Sequence, residues 1–178
     1  TQPTAASKAF KFTGANGAVT YSKKSGNAGI SISSAGKLTF KKGLAPGSYK
    51  CVFKVKAAGD TNHNAATKTV TITFKVNKAA NPMTVKAVTR STTVAKTKKG
   101  VVAVACPVEV KKAQGKVTYA QVKKGSSAAL TVNATTGKVS VKKGTKKGTY
   151  KVVVKVAAAG NATYLAASKN VTCKVVVK

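Results

Sequence analysis

The sequence predicts an all-β chain folded as two antiparallel β-sandwiches in tandem, and three observations predict it. Apolar residues alternate with polar ones along several stretches, the period-two mark of half-buried strands. Turn-forming residues separate these stretches at short intervals, which is how many-stranded sandwiches read, and no helical stripe exceeds two turns. The chain also repeats itself once, at a period of about 100 residues, a domain length rather than a solenoid step.

The repeat is direct. KKGLAPGSYKCVFKVKAAGDTNHNAATKTVTITFKV (41–76) aligns without gaps on KKGTKKGTYKVVVKVAAAGNATYLAASKNVTCKVVV (142–177). Including the preceding Phe40/Val141 pair, 18 of 37 positions are identical. Upstream, GAVTY (17–21) matches GKVTY (115–119) after a three-residue change in loop length.

Strands follow in order. Short ones are expected at Val19/Tyr21, Ile30/Ile32 and Leu38/Phe40, with Ala35-Gly36 turning between the last two. Their second-copy counterparts are Val117/Tyr119, Leu130/Val132 and Val139/Val141, with the turn at Thr136-Gly137. After turns at Lys41-Lys42-Gly43 and Ala45-Pro46-Gly47 comes a long strand. It places Tyr49, Cys51, Phe53 and Val55 inward and Lys50 and Lys54 outward, as Tyr150, Val152, Val154 and Val156 stand against Lys151 and Lys155. The closing strands carry Val70, Ile72, Phe74 and Val76, then Val171, Cys173, Val175 and Val177. Before Val108 lies NPMTVKAVTRSTTVAKTKKGVVAVACP (81–107), enough for two further strands, whereas only nine residues precede Phe10. Domains are therefore expected at 1–78, lacking its opening strands, and 79–178, joined near residues 77–82.

Charge excludes several functions. The chain has 33 Lys and Arg, two acids (Asp60 and Glu109) and a net charge of +31. Hard cations want several carboxylates, and glycosidase chemistry wants a pair, so calcium-rigidified and glycosidic readings fail. One histidine leaves Ser-His-Asp catalysis and multi-histidine zinc sites remote, and no cofactor is expected. No apolar run approaches the roughly 20 residues of a membrane helix. No signal-peptide pattern opens the chain either, which fits a cytosolic protein or, better, an internal piece of a longer one. Arg90 is the single arginine. Lysine is a compact point charge without arginine's planar fork, so such a surface favours salt-sensitive attraction to polyanions over base readout.

TGKVSVKKGTKKGTYKVVVKVAAAGNATYLAASKNVT and its echo AGKLTFKKG…GSYKCVFKVKAAGDTNHNAATKTVT resemble bacterial immunoglobulin-like surface repeats. The most specific element is the Ala-Gly-Asp/Asn-x-x-aromatic-x-Ala-Ala loop before the last strand. The resemblance implies immunoglobulin-like sandwiches in a long extracellular protein of a Gram-positive bacterium, as stalk, adhesive region or enzyme appendage. It carries no catalytic residues, so the chain is expected not to be an enzyme.

Candidate residues divide unevenly. His63 stands where the second copy has Tyr164, as a loop aromatic over an Ala-Ala pair. Cys51 and Cys173 align with Val152 and Ile72 and behave as small hydrophobes, and Cys106 aligns with Lys8. In an immunoglobulin-like sandwich Cys106 and Cys173 fall on neighbouring strands, so a disulfide and two free thiols both stay open. Such surface sandwiches sometimes hold a Lys–Asn isopeptide bond beside a buried acid, but Glu109 should point outward and Asp60 lies in a loop. All five Phe and four of the five Tyr are expected on inward positions, which leaves Tyr164 alone as a candidate for stacking on sugars or bases.

The lysines are the remaining candidates. Lys50, Lys54, Lys75, Lys151, Lys155 and Lys174 occupy outward strand positions, and Lys142, Lys143, Lys146 and Lys147 occupy turns. Further pairs are Lys23/Lys24, Lys41/Lys42 and Lys123/Lys124. The leading expectation is a surface spacer and adhesion segment holding anionic cell-wall polymers or acidic glycans, and retaining DNA and heparin in vitro. The rivals are a carbohydrate-binding appendage of a secreted enzyme and a nucleic-acid-binding protein. One strand edge beside residues 70–76 is expected to stay open, giving a route to edge pairing with a neighbouring chain.

Overall fold

The computed structural model describes residues 6–178 and divides the chain into two compact units, Thr1–Ala79 and Ala80–Lys178. Both are all-β sandwiches. Unit 1 contains β1 (Ala6–Ala9), β2 (Val19–Gly26), β3 (Ile30–Ile32), β4 (Lys37–Phe40), β5 (Gly47–Ala57) and β6 (Ala66–Val76). One sheet has the order β2-β5-β6 and the other β1-β4-β3. The expected inward residues meet between them: Ile30, Leu38, Cys51 and Phe53 are buried, and Phe10, Phe40, Tyr49, Ile72 and Phe74 pack around them. Phe53 and Phe74 stand edge to face at 6.2 Å, as do Phe40 and Phe74 at 5.2 Å, an arrangement that aromatic quadrupoles favour.

Unit 2 contains β7 (Thr84–Ala87), β8 (Arg90–Thr92), α1 (Val94–Lys99), β9 (Val102–Val104), β10 (Val108–Lys111), β11 (Val117–Val122), β12 (Leu130–Val132), β13 (Val139–Val141), β14 (Gly148–Ala158) and β15 (Ala167–Val177). Its sheets run β11-β14-β15-β8, β12-β13-β9 and β10-β7. The core is valine-rich, with Val139, Val141, Val152, Val154, Val156 and Val175 fully buried beside Met83 and Leu130. In both units the long hairpin keeps the same register, Cys51 opposite Ile72 and Val152 opposite Cys173.

The stretch 81–107 holds more than the two expected strands. It forms β7, β8 and β9, with α1 between the last two. Thr93 caps α1, its hydroxyl accepting from the Lys96 N–H at 3.4 Å, so a threonine-rich run becomes a helix start rather than more strand. β8 pairs in parallel with the end of β15, Arg90 opposite Val175 and Thr92 opposite Val177.

In unit 1, β1 takes the place of β9: Lys8 faces Leu38 as Val104 faces Val139. Lys8 therefore corresponds to Val104 rather than to Cys106. Among the described residues unit 1 has no counterpart of β7, β8 or α1, and β6 is an edge strand. The consequence shows in burial: Ile72 and Phe74 are half-buried, whereas the matching Cys173 and Val175 are 0% exposed.

Candidate functional site: the lysine surfaces

Every lysine singled out from the sequence for polyanion contact is exposed: Lys50, Lys54, Lys75, Lys142, Lys143, Lys146, Lys147, Lys151, Lys155 and Lys174. They fall into three groups. On unit 1, Lys50 and Lys54 lie on the outer face of β5, and Lys75 joins them from β6, where it is opposite Ser48. Lys56 extends the same row. The alternation 50, 52, 54, 56 contained this signal, and the sequence reading passed over it.

On unit 2, Lys151 of β14 and Lys174 of β15 are direct cross-strand partners, and Lys155 lies opposite Asn170. Lys151 and Lys155 are four residues apart on one strand, about 13 Å at the usual rise.

The third group is the densest. α1 is fastened to the turn at 142–147: the Gly144 N–H donates to Thr97 O at 2.9 Å, and the Thr97 hydroxyl donates to Thr145 O at 2.9 Å. Thr97 is 0% exposed, so these bonds are shielded from water and fix the helix in place. The contact brings Lys96, Lys98 and Lys99 of α1 to the same end as Lys142, Lys143, Lys146 and Lys147. Lys178 joins them, its N–H donating to Thr92 O while its own carbonyl accepts from Val94. The helix lysines were invisible as part of the site because residues 81–107 read as strand. Unit 1 has Leu44, Ala45 and Pro46 where this turn carries Thr145, Lys146 and Lys147.

Not every lysine is free to bind. Lys23 lies inside β2, not in a loop, next to a bulge between Lys23 and Ser25. Its ammonium donates to Asn27 O at 2.5 Å and Ile30 O at 2.8 Å, a task that Gln121 performs in unit 2 by donating to Leu130 O at 3.1 Å.

Both acids are already engaged. Glu109 bonds Lys111 at 2.9 Å, which holds its carboxyl below the usual range and the Lys111 ammonium above it. Asp60 accepts from His63 Nδ1 at 2.8 Å and from the Asn62 N–H, and the histidine bond in particular lowers its pKa. His63 thus pairs with Asp60, with a side chain 55% exposed, a partner that the alignment with Tyr164 does not suggest. In unit 2 the same loop closes with Asn161 Oδ1 accepting from the N–H groups of Thr163 and Tyr164.

The three cysteines are free thiols. Cys106 Sγ donates to Val108 O at 3.4 Å and Cys173 Sγ to Val171 O at 3.9 Å, so each thiol is directed at a carbonyl of its own stretch of chain and the structure holds no disulfide between them. Arg90 is likewise occupied: its Nε and one terminal nitrogen donate to Cys106 O at 3.0 and 2.8 Å. The single arginine locks the entry of β8 and is no anion fork.

No helix among the described residues is long and apolar enough to cross a membrane. No family model matches the chain, and no curated protein matches it. The resemblance to bacterial immunoglobulin-like surface repeats therefore rests on the residues quoted for it. Solved structures with similar strand layout include human protocadherin-24 EC1-2, at 14% identity and a TM-score of 0.43, covering 90% of this chain and 81% of that one. Drosophila N-cadherin EC1-4 is 11% identical with a TM-score of 0.40, covering 90% of this chain and 41% of that one. A SusE-like surface polysaccharide-binding protein from the heparin utilisation locus of Bacteroides thetaiotaomicron is 17% identical with a TM-score of 0.35, covering 99% of this chain and 32% of that one. The chain spans 41%, 57% and 50% of the first three such structures. At these scores no ligand and no residue role passes from them to this chain, whose own strand orders describe two β-sandwich units in series.

Proposed function

We propose that this chain is a non-catalytic extracellular spacer and adhesion module that holds anionic polymers by charge. The observation that carries the reading is the lysine end of unit 2, where α1 and the 142–147 turn gather seven lysines with both acids of the chain already bound elsewhere. Lysines on flexible stems without a planar fork attract phosphate, sulfate and carboxylate chains alike, releasing counterions as they do so. Seven of the ten aromatics pack into the two cores, which supports the same reading, since a neutral-sugar site needs exposed rings. Phe12, expected inward, instead lines a cleft of unit 1 with Lys68 over its ring. The natural partners are phosphate-rich wall polymers or acidic glycans at a Gram-positive surface, by the resemblance to surface repeats.

The test is retention of the whole chain on heparin, double-stranded DNA and a neutral-glycan array across a salt series. Charge-only binding predicts that heparin and DNA release together as salt rises and that neutral glycans are not held. Replacing Lys142, Lys143, Lys146 and Lys147 by Gln flattens the slope of log K against log salt by about 0.9 for each DNA phosphate that is no longer neutralised. Neutral-glycan binding that survives high salt would move the assignment to a carbohydrate-binding appendage. DNA binding that outlasts heparin binding would move it to a nucleic-acid protein. Absence of retention at low salt would end the adhesion reading.

A further inference from the structure

β8 and β9 are edge strands of the two larger sheets of unit 2, joined through α1, and a groove of about 500 Å³ runs between them. Residues 89–93, Lys96, residues 102–105 and Lys178 line it, with no Asp or Glu among them. Strand parity decides what faces inward. Thr92 and Arg90 lie opposite the buried Val177 and Val175, so their side chains point with these into the space between the sheets. Val104 and Val102, opposite the buried Val139 and Val141, form the facing wall.

Thr92 is the exception in this wall. It is 8% exposed, and its Oγ1 is the one buried side-chain oxygen of the described residues without a hydrogen-bond partner. Leaving a buried hydroxyl unpaired is costly, and a threonine there is harder to explain than the isosteric valine that the rest of this core uses.

Three further donors surround it. The Lys178 N–H bonds Thr92 O, and the Val94 N–H bonds Lys178 O. Alternate residues of a parallel strand bond the same neighbour, so the Ser91 N–H points away from β15, to the free edge of β8. Arg90 spends Nε and one terminal nitrogen on Cys106 O, and its other terminal nitrogen has no bond among the described residues. It offers a single donor rather than a fork. Lys96 is exposed on α1 and brings a full positive charge to the same groove.

We infer that this groove seats one tetrahedral oxyanion, the phosphate or sulfate ester group of a polymer held at the lysine end. Lys96 meets its charge, and the Ser91 N–H and the remaining Arg90 nitrogen donate to its oxygens. Thr92 turns about χ1 to bring its hydroxyl from the buried position to the groove that the side chain lines. Donors converging from a strand edge, a helix and the inter-sheet side suit oxygens that point in three directions, whereas a carboxylate offers two in one plane. The natural source of the ester rests on the polyanion reading; binding of the small ion does not.

The test titrates the full, isotope-labelled chain with methyl phosphate, methyl sulfate and acetate in turn, at one ionic strength held by sodium chloride, and follows the amide signals. Both esters are expected to shift residues 89–96 and 102–105 saturably, the tighter one marking phosphate or sulfate as the natural group. Acetate is expected to bind at least about tenfold more weakly. Thr92→Val keeps the shape and removes the unpaired hydroxyl, so it weakens ester binding about tenfold without lowering the melting temperature, and Thr92→Ser retains binding. The inference fails if the esters do not saturate, if Thr92→Val binds them as tightly as the unaltered chain, if acetate binds equally well, or if the shifts centre on residues 142–147. Heparin and DNA retention that persists in those cases leaves the adhesion reading standing without the seat. Saturable ester binding by a chain that retains neither polymer keeps the seat and ends the adhesion reading.

Discussion

Lys151 and Lys174 face each other directly across the β14–β15 ladder, both exposed. Their counterparts in unit 1 are Lys50 and Thr73, an ordinary polar pair. Like charges directly opposite destabilise a sheet, and opposite charges there gain roughly 0.2–1 kcal/mol. Lys174→Glu is therefore expected to stabilise unit 2 by about 0.5 kcal/mol in urea unfolding while lowering the salt needed to elute the chain from heparin. A gain in stability with unaltered elution would remove the β14–β15 face from the polyanion surface.

Close backbone approach gives a second prediction. A Cβ at Gly115, where φ is +83°, would sit 2.0 Å from Gly160 O, and one at Gly17 would sit 1.9 Å from Gly59 O. The loop before each closing strand lies directly on the glycine two residues before β11 or β2. Gly115→Ala and Gly17→Ala should each cost more than about 2 kcal/mol. Gly144→Ala, at φ +75° but with open space around it, should cost only about 1 kcal/mol. Comparable losses for Gly115→Ala and Gly144→Ala would show that the loops yield easily.

Much of this was legible in the sequence, and the misses share a cause. Period-two alternation located both long hairpins and the larger inward residues on them, though not the buried Ala158, because side-chain direction in a strand follows directly from parity. α1 escaped because a six-residue helix shows too little of its period, and its start depends on the Thr93 cap rather than on any apolar stripe. With it went Lys96, Lys98 and Lys99. Lys23 was misjudged because β2 runs on past Tyr21, so that parity turns Lys23 inward with Val19 and Tyr21 before the bulge. His63 and Cys106 were assigned by alignment alone, which does not report a partner: Asp60 takes the one, and the other sits in a loop two residues longer than the route from β1 to Phe10.

The thiols predict a graded chemistry. Burial, and then the neighbouring Cys106, push the Cys173 thiol up to about 11, so it stays protonated at neutral pH. Thiolate is the reactive form. In the native chain at pH 8, Ellman's reagent should modify Cys106, which is half-buried, and spare Cys51 and Cys173 until unfolding. The folded chain holds the Cys173 proton more tightly than the unfolded chain, whose value is near 9.0. That contribution to stability is full below pH 9.0 and is lost as pH rises through about 11. Cys173→Val should remove this alkaline loss. Rapid labelling of native Cys173 at pH 8 would contradict its burial.

The two closing strands give the last prediction. β15 is flanked on both sides, by β14 along its length and by β8 at residues 175–177, whereas β6 has β5 alone among the described residues. An edge strand exchanges its unpaired amides readily, and loss of the second neighbour also uncovers the side chains beneath it. Phe74 and Ile72 are half-buried where Val175 and Cys173 are fully buried, so the opening of β6 exposes less new apolar area and meets a lower barrier. Amides at 70–76 should therefore exchange faster than those at 171–177, and unit 1 should melt before unit 2 in a scan of the full chain. Screening by salt relaxes the repulsion from Lys75 that keeps this edge from pairing with another molecule, so any self-association should rise with ionic strength rather than fall. Equal protection of the two segments in a monomeric sample would mean that unit 1 covers its edge in another way.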